Sequence, residues 1–310
     1  MLVDISEVAE NIYMIDDQLL SIPKWGSVYL VNEEKKALID TGPTSSKDTV
    51  LEAIKRIGVK PEDIDYIIAT HIHLDHSGGA GALIREMPEA QVLVHHRGAK
   101  HLVNPAKLVG SATEVQGGAV VADFGDVVPV SIERVKPVYD GDSLELSKGQ
   151  VLKFIDAPGH APHELCIYES RNNGVFVGDA AGIQVGDDEV FQPGTTPPNF
   201  DLELNIATLE KLVELNPSII YFAHFGAADR AREVLFVAID KLKVWGDIVD
   251  EAVRENMVDS VEDKLMAQAR AELKVIKEKS LYKFLTEVHI PLCIAGYKKY
   301  YEDKHKVKNN

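Results

Sequence analysis

The chain has 310 residues, 45% of them hydrophobic and 26% charged, enough for one large α/β domain with a small appendage and too apolar for a disordered chain. Its 49 acidic against 33 basic side chains leave a formal charge of −16, a surface that repels phosphate backbones and anionic lipid and so disfavours nucleic acid as a partner. It has no run of 18 apolar residues, its N-terminus MLVDISEVAENIYMID carries acids early, and its two cysteines form no CxxC pair; no membrane span, no signal peptide, a cytoplasmic location and two buried, unbridged thiols are expected.

In chain order, residues 11–15 read as a strand, and 27–31 with 36–40 as a hairpin around 32–34. Residues 46–57 read as a helix ending at Gly58. The apolar run IDYIIAT (64–70) suits a buried strand. A helix over 78–85 and a strand over 91–94 follow. Gly78, Gly79 and Gly81 are spaced for a tight turn, not for a dinucleotide fingerprint. Residues 97–126 are less regular, with short helices or loop around 99–109. Strands resume at 127–138, 143–146, 151–156, 164–169 and 174–177. A long loop, 183–201, contains PGTTPPNF, and loops of that length usually serve function. A helix over 204–215 and a strand over 218–223 complete the mixed region.

Beyond residue 227 the pattern changes. Leu235, Ala238, Ile239, Leu242, Trp245 and Val249 recur at helical spacing, as do Leu265, Ala269, Leu273 and Ile276. Pro291 marks a break, and the tail YEDKHKVKNN is expected to fray. The division expected is therefore a catalytic unit over 1–227 and a helical extension over 228–310. Its apolar stripes must be buried in a lid and homodimer interface or in the core itself.

The chemistry concentrates where strands end. His71, His73, Asp75 and His76 lie within six residues directly after the 64–70 strand. If strand geometry persists, His71 and His73 point the same way, leaving Asp75 and His76 for a second ion. His160 follows the 151–156 strand, Asp179 the 174–177 strand and His224 the 218–223 strand. A lone histidine at a strand end is usually structural, but four strand-to-loop transitions each delivering a ligand type describe one rim assembling a site. Imidazoles with carboxylates suit zinc, iron or manganese. The single DTG at 40–42 lacks the second copy that aspartic-protease chemistry needs, and no GxSxG supplies a serine nucleophile.

THIHLDHSGG, APGH, VGDA and YFAH, with LIDTG at 38–42, resemble in order the motifs of the metallo-β-lactamase superfamily over about residues 10–226. The resemblance implies a four-layered αββα sandwich with the site at one edge of its two sheets and a helical C-terminal extension. It also implies that His71, His73 and His160 hold one divalent metal, that Asp75, His76 and His224 hold a second, that Asp179 bridges them and that Asp40 steadies the ligands from outside. Zinc is the expected pair, with iron or manganese as alternatives. A hydroxide shared by the two ions, oriented by Asp75, then attacks an ester, thioester or lactone of a small molecule. A phosphodiesterase or nuclease on the same site and an iron-dependent redox enzyme are the rival readings.

Within the superfamily, the retained His76 sets the chain apart from most β-lactamases, and His73 with no flavodoxin domain from flavodiiron oxygen reductases. No basic arm of the transfer-RNA processing kind is present, and AHFGAAD differs from the glyoxalase II segment. Lactonases share HxHxDH. GAKHLVNPAKL, GHAPHE and PGTTPPNFD resemble a subgroup with a helical extension, from which this chain departs at Glu164, where a second histidine is expected. His163 is open between a structural role, a substrate-facing donor and a ligand. His95, His96 and His101 are expected on the surface. Trp25, Phe191 and Phe200 are candidates for an apolar pocket wall, with the 183–201 loop.

Overall fold

The computed structural model describes residues 3–185, 190–255 and 257–308. A first sheet of seven strands takes them in chain order: β1 (Ile5–Ala9), β2 (Ile12–Asp16), β3 (Ser27–Asn32), β4 (Lys36–Ile39), β5 (Ile64–Ile68), β6 (Gln91–His95) and β7 (Val135–Val138). Strands β1 to β4 pair antiparallel, with a loop over 17–26 between β2 and β3, whereas β4 to β7 pair parallel. Parallel neighbours require crossovers, and helices fill them: α1 (Lys47–Ile57) before β5, α2 (Leu74–Ser77) and α3 (Ala80–Leu83) before β6, and α4 (Ala99–Val103), α5 (Ala106–Gln116) and α6 (Gly118–Asp123) before β7.

The second sheet contains β8 (Ser143–Ser147), β9 (Gln150–Asp156), β10 (Leu165–Glu169), β11 (Gly174–Phe176), β14 (Ile219–Tyr221) and β15 (Ala227–Ala228) in the order β15-β14-β11-β10-β9-β8. Its one parallel pair, β11 with β14, is bridged by α7 (Leu202–Leu215). The α7 start is fixed by Asp201, whose side chain accepts from Leu204 N at 3.0 Å.

Alternation of side chains along each strand sorts the core into layers. Tyr29, Ile39 and Ile68 of the first sheet meet Phe154, Ile167 and Phe176 of the second between the sheets. Their neighbours Val28, Leu30 and Ile67 face outward onto Val50 and Ile54 of α1. Ile155, Cys166, Val175 and Ile220 face outward from the second sheet into a cluster shared with α7 and with α8 (Ala231–Glu255), α9 (Val258–Glu272), α10 (Lys279–Phe284) and α11 (Ile290–Lys308). The result is the αββα sandwich. Leu235, Leu242, Trp245, Leu265 and Tyr297 belong to that same outer cluster, so the C-terminal helical stripes are buried against the second sheet.

Four expectations are corrected. Only 135–138 of the expected 127–138 strand pairs with the sheet: Pro129 has no N–H for a ladder, and Val130 N bonds Leu102 O at 2.9 Å instead. Gly81 lets this segment lie on α3, since a Cβ there meets Val128 O at 1.8 Å. Gly78 and Gly79 form the expected turn between α2 and α3, whereas Gly81 lies within α3, so close packing and not turn conformation explains it. The 183–201 loop opens with a two-stranded ribbon, β12 (Ile183–Val185) on β13 (Val190–Gln192). The tail does not fray at 301: α11 runs to Lys308 because Tyr301 is buried in the outer cluster and His305 Nε2 reaches Asp250 Oδ1 at 2.7 Å. Among the described residues, no helix is long and apolar enough to cross a membrane.

Candidate metal centre

All seven predicted donors converge at one edge of the two sheets. β5 delivers His71 and His73, and the chain then turns into α2, which carries Asp75 and His76. His160 follows β9, Asp179 follows β11 and His224 follows β14. His71, His76, His160 and His224 are buried, and Asp179 is only 7% exposed. Gly178 sets the approach to Asp179: its φ is +52°, and a Cβ there meets Glu164 Oε1 at 2.6 Å, so only glycine fits.

Donor atoms within 4.8 Å of one another form three overlapping groups: His71, His73 and His160; His71, His76 and Asp179; and Asp75, His76 and His224. His73 Nδ1 lies 3.0 Å from both His71 Nε2 and His160 Nε2. On the other side, Asp75 Oδ2 is 3.6 Å from His76 Nε2 and from His224 Nε2. Asp179 sits between, with Oδ2 at 3.5 Å from His160 Nε2 and Oδ1 at 3.5 Å from His76 Nε2.

Partners outside the ring aim the imidazoles inward. His160 Nδ1 donates to Gly194 O at 2.7 Å and His224 Nδ1 to Trp25 O at 3.2 Å, since a carbonyl can only accept; each Nε2 is left to face the centre. His76 Nδ1 lies 3.1 Å from Asp40 Oδ2. Asp40 Oδ1 accepts from Thr70 N at 2.7 Å, tying the same carboxylate to the end of β5. Glu164 occupies the space expected for a histidine. Its Oε1 accepts from Asp179 N at 2.6 Å and lies 3.9 Å from His71 Nδ1, so it positions two donors at once.

The electrostatics follow from this crowding. Burial, then the neighbouring imidazoles, hold His71 and His73 well below the ordinary histidine range. Burial also disfavours charge on His76, but Asp179, Asp75 and Asp40 outweigh it and raise that group well above the usual value. Burial raises Asp179, and the surrounding His76, His224, His160 and His73 more than reverse this, holding it far down. Burial and Asp179 push Glu164 well up. His76 Nε2 and Asp179 Oδ1 are both buried without a hydrogen-bond partner. Lone-pair donors converging in a buried space at a cost of this kind fit a cation.

A cavity of about 50 Å³ opens onto these donors, lined by Trp25, Phe124, Phe284 and His289 among others. It shares His73, Gln116, Thr196 and Leu292 with an outer chamber of about 670 Å³. Trp25 stacks on His224 at 4.4 Å. Of the other aromatic candidates, Phe191 packs on Phe222 and Phe200 on Tyr297, away from the centre. The 183–201 segment contributes Gly194 to the inner cavity and 196–199 to the chambers, not its ribbon. His163 lines the outer chamber and belongs to none of the donor groups. His95 is buried, with Nε2 at 3.2 Å from Asp156 Oδ1, because it ends a central strand; the surface expectation does not hold for it. Sequence reading missed His289, on a π-helical turn (Leu285–His289) where Nε2 meets Pro193 O at 3.3 Å. A histidine beside Pro291 in an apolar stretch is the only signal it leaves.

The sequence profile of the Metallo-beta-lactamase superfamily matches residues 25–224. The chain belongs to the metallo-β-lactamase superfamily. The superfamily protein ST1585 from Sulfurisphaera tokodaii is 27% identical over 253 residues, 77% of this chain and 91% of that one. Its crystal structure superposes with a TM-score of 0.64 at 26% identity, covering 74% of this chain and 85% of its own. A metallo-β-lactamase family protein from Thermus thermophilus, TTHA1429, shares only 18% identity but covers 96% of this chain and 95% of its own with a TM-score of 0.66, so its fold extends over the C-terminal helices too. A Bacillus N-acyl homoserine lactonase is 25% identical over 69% of this chain and 86% of its own length. A putative diflavin flavoprotein from Thermosynechococcus vestitus is 30% identical over 56% of this chain, which spans only 26% of that protein.

Proposed function

We propose that this superfamily member is a dinuclear metal-dependent hydrolase of small esters, thioesters or lactones, with zinc as its metal. The observation that carries the reading is Asp179, which offers one oxygen to each donor group while His76 Nε2 and Asp179 Oδ1 stay buried without partners. His71, His73 and His160 would hold one cation, Asp75, His76 and His224 the other, with Asp179 serving both. Such a pair supplies Lewis acidity, which makes water a nucleophile near neutral pH and polarises a carbonyl.

The chain's own residues do the rest. Asp40, Gly194 O and Trp25 O hold three imidazoles in register. Trp25, Phe124 and Phe284 give the inner cavity an apolar wall. Asp75, the most accessible of the donor carboxylates with 19% of its side chain exposed, is placed to orient the attacking water. The lactonase relative supports hydrolysis as the chemistry. Iron redox chemistry, suggested by the diflavin relative and by a flavo-diiron protein of Clostridium acetobutylicum, is the competing reading of the same donors.

The test is turnover of an ester, thioester and lactone panel by protein loaded with zinc, manganese or iron. Hydrolysis of any class that stops on chelation and returns with zinc is the result expected. Oxygen consumption with the iron form and no hydrolysis with any metal would overturn the reading.

A further inference from the structure

The outer chamber differs in charge from the molecule around it. The chain as a whole carries −16, a field that repels anions. Yet the chamber is lined by two permanent cations, Arg97 and Lys107, with His101 and His163, and by a single carboxylate, Glu114. Among the described residues neither cation has a carboxylate at salt-bridge distance; Arg97 Nη1 donates to Pro162 O at 3.2 Å, a contact that leaves its charge uncompensated. Burial, then Lys100 and Lys107, hold His101 below the ordinary histidine range, so Lys107 and His101 share one locality. His163 adds a buried Nδ1 with no partner. Unpaired like charges gathered on one concave wall repel one another, an arrangement relieved by a bound anion. The shared lining of His73, Gln116, Thr196 and Leu292 places this wall next to the metal centre.

We infer that the substrate carries an anionic group, a carboxylate, phosphate or sulfonate remote from the bond cleaved, which Arg97 and Lys107 bind in the outer chamber while the reacting carbonyl enters the inner cavity. This deepens the hydrolase reading and rests on it for the position of the reacting group. The binding of the anion itself does not depend on turnover.

Two matched pairs of probes place the charge on either side of the bond. On the acyl side, mono-4-nitrophenyl glutarate is compared with 4-nitrophenyl pentanoate. On the leaving side, S-pentanoyl-3-mercaptopropanoate is compared with S-propyl thiopentanoate. In at least one pair the zinc-loaded protein should favour the anion by tenfold or more in kcat/KM. That ratio should fall at least tenfold in Arg97→Ala/Lys107→Ala, through KM, and fall further in Arg97→Glu/Lys107→Glu. Butanesulfonate, a poor metal ligand, is titrated in parallel by calorimetry; it should bind the parent protein at least tenfold more tightly than the double variant. No anion preference in either pair, or a preference kept by both variants, would overturn the inference. Selective sulfonate binding without hydrolysis of any probe or of the lactones, with any of the three metals, would uphold the anion site and sink the hydrolase reading. Neither binding nor hydrolysis would sink both.

Discussion

His73, His160, Asp179 and His224 each leave the end of a strand within a few residues, whereas Gln116, Phe284, His289 and Leu292, which line the same inner cavity, come from helices distant in sequence and joined only by docking. The first set is a rim, fixed by sheet register and by hydrogen bonds to Glu164 and to the carbonyls of Gly194 and Trp25. The second is a wall, fixed by burial of the C-terminal helices on the second sheet. Rim positions therefore control what the site holds, and wall positions control what reaches it. A substitution in one should leave the property of the other intact.

The strongest challenge to that separation is Trp245→Ala. Trp245 is fully buried where α8 meets α11, and its loss should cost about 3–5 kcal/mol of stability. Denaturant unfolding should show this cost while the folded fraction keeps its metal content. Next, Asp179→Asn removes the charge between the two donor groups; turnover should fall roughly 10²–10³-fold with bound metal reduced and melting of the helical layer unchanged. Asp40→Asn keeps the side chain's shape but weakens its hold on His76 and Thr70, and metal affinity measured by chelator competition should drop about 10–100-fold. The mildest is His289→Gln, which alters the wall: metal content should stay at the parent level while KM shifts several-fold. Metal lost from His289→Gln, or kept in Asp179→Asn with full turnover, would break the comparison.

The same contrast explains what could be read before the fold was seen. Every donor was legible because an apolar run followed by a histidine or aspartate is a local signal, and the order HxHxDH, His160, Asp179, His224 repeats it along the chain. Asp40 was legible through LIDTG. The layers were legible from strand alternation, as in Val28, Tyr29 and Leu30. His289 was not, since nothing near it in sequence says that the turn between α10 and α11 docks beside Trp25. Nor was the role of Glu164, which depends on the 2.6 Å approach of Asp179 N from another strand. The 127–138 segment misled because its apolar residues pack on α3 as far as Val130 before the chain joins the sheet, and 183–201, expected as a loop, opens with a ribbon detached from the main sheets.

The central claim is that Asp179 stands between two cation sites. Its most direct test is elemental analysis of protein purified without chelators or added metal, beside Asp179→Asn. The account predicts about two zinc ions per chain in the parent and clearly fewer in the variant. One ion per chain in both, with hydrolysis intact, would contradict it.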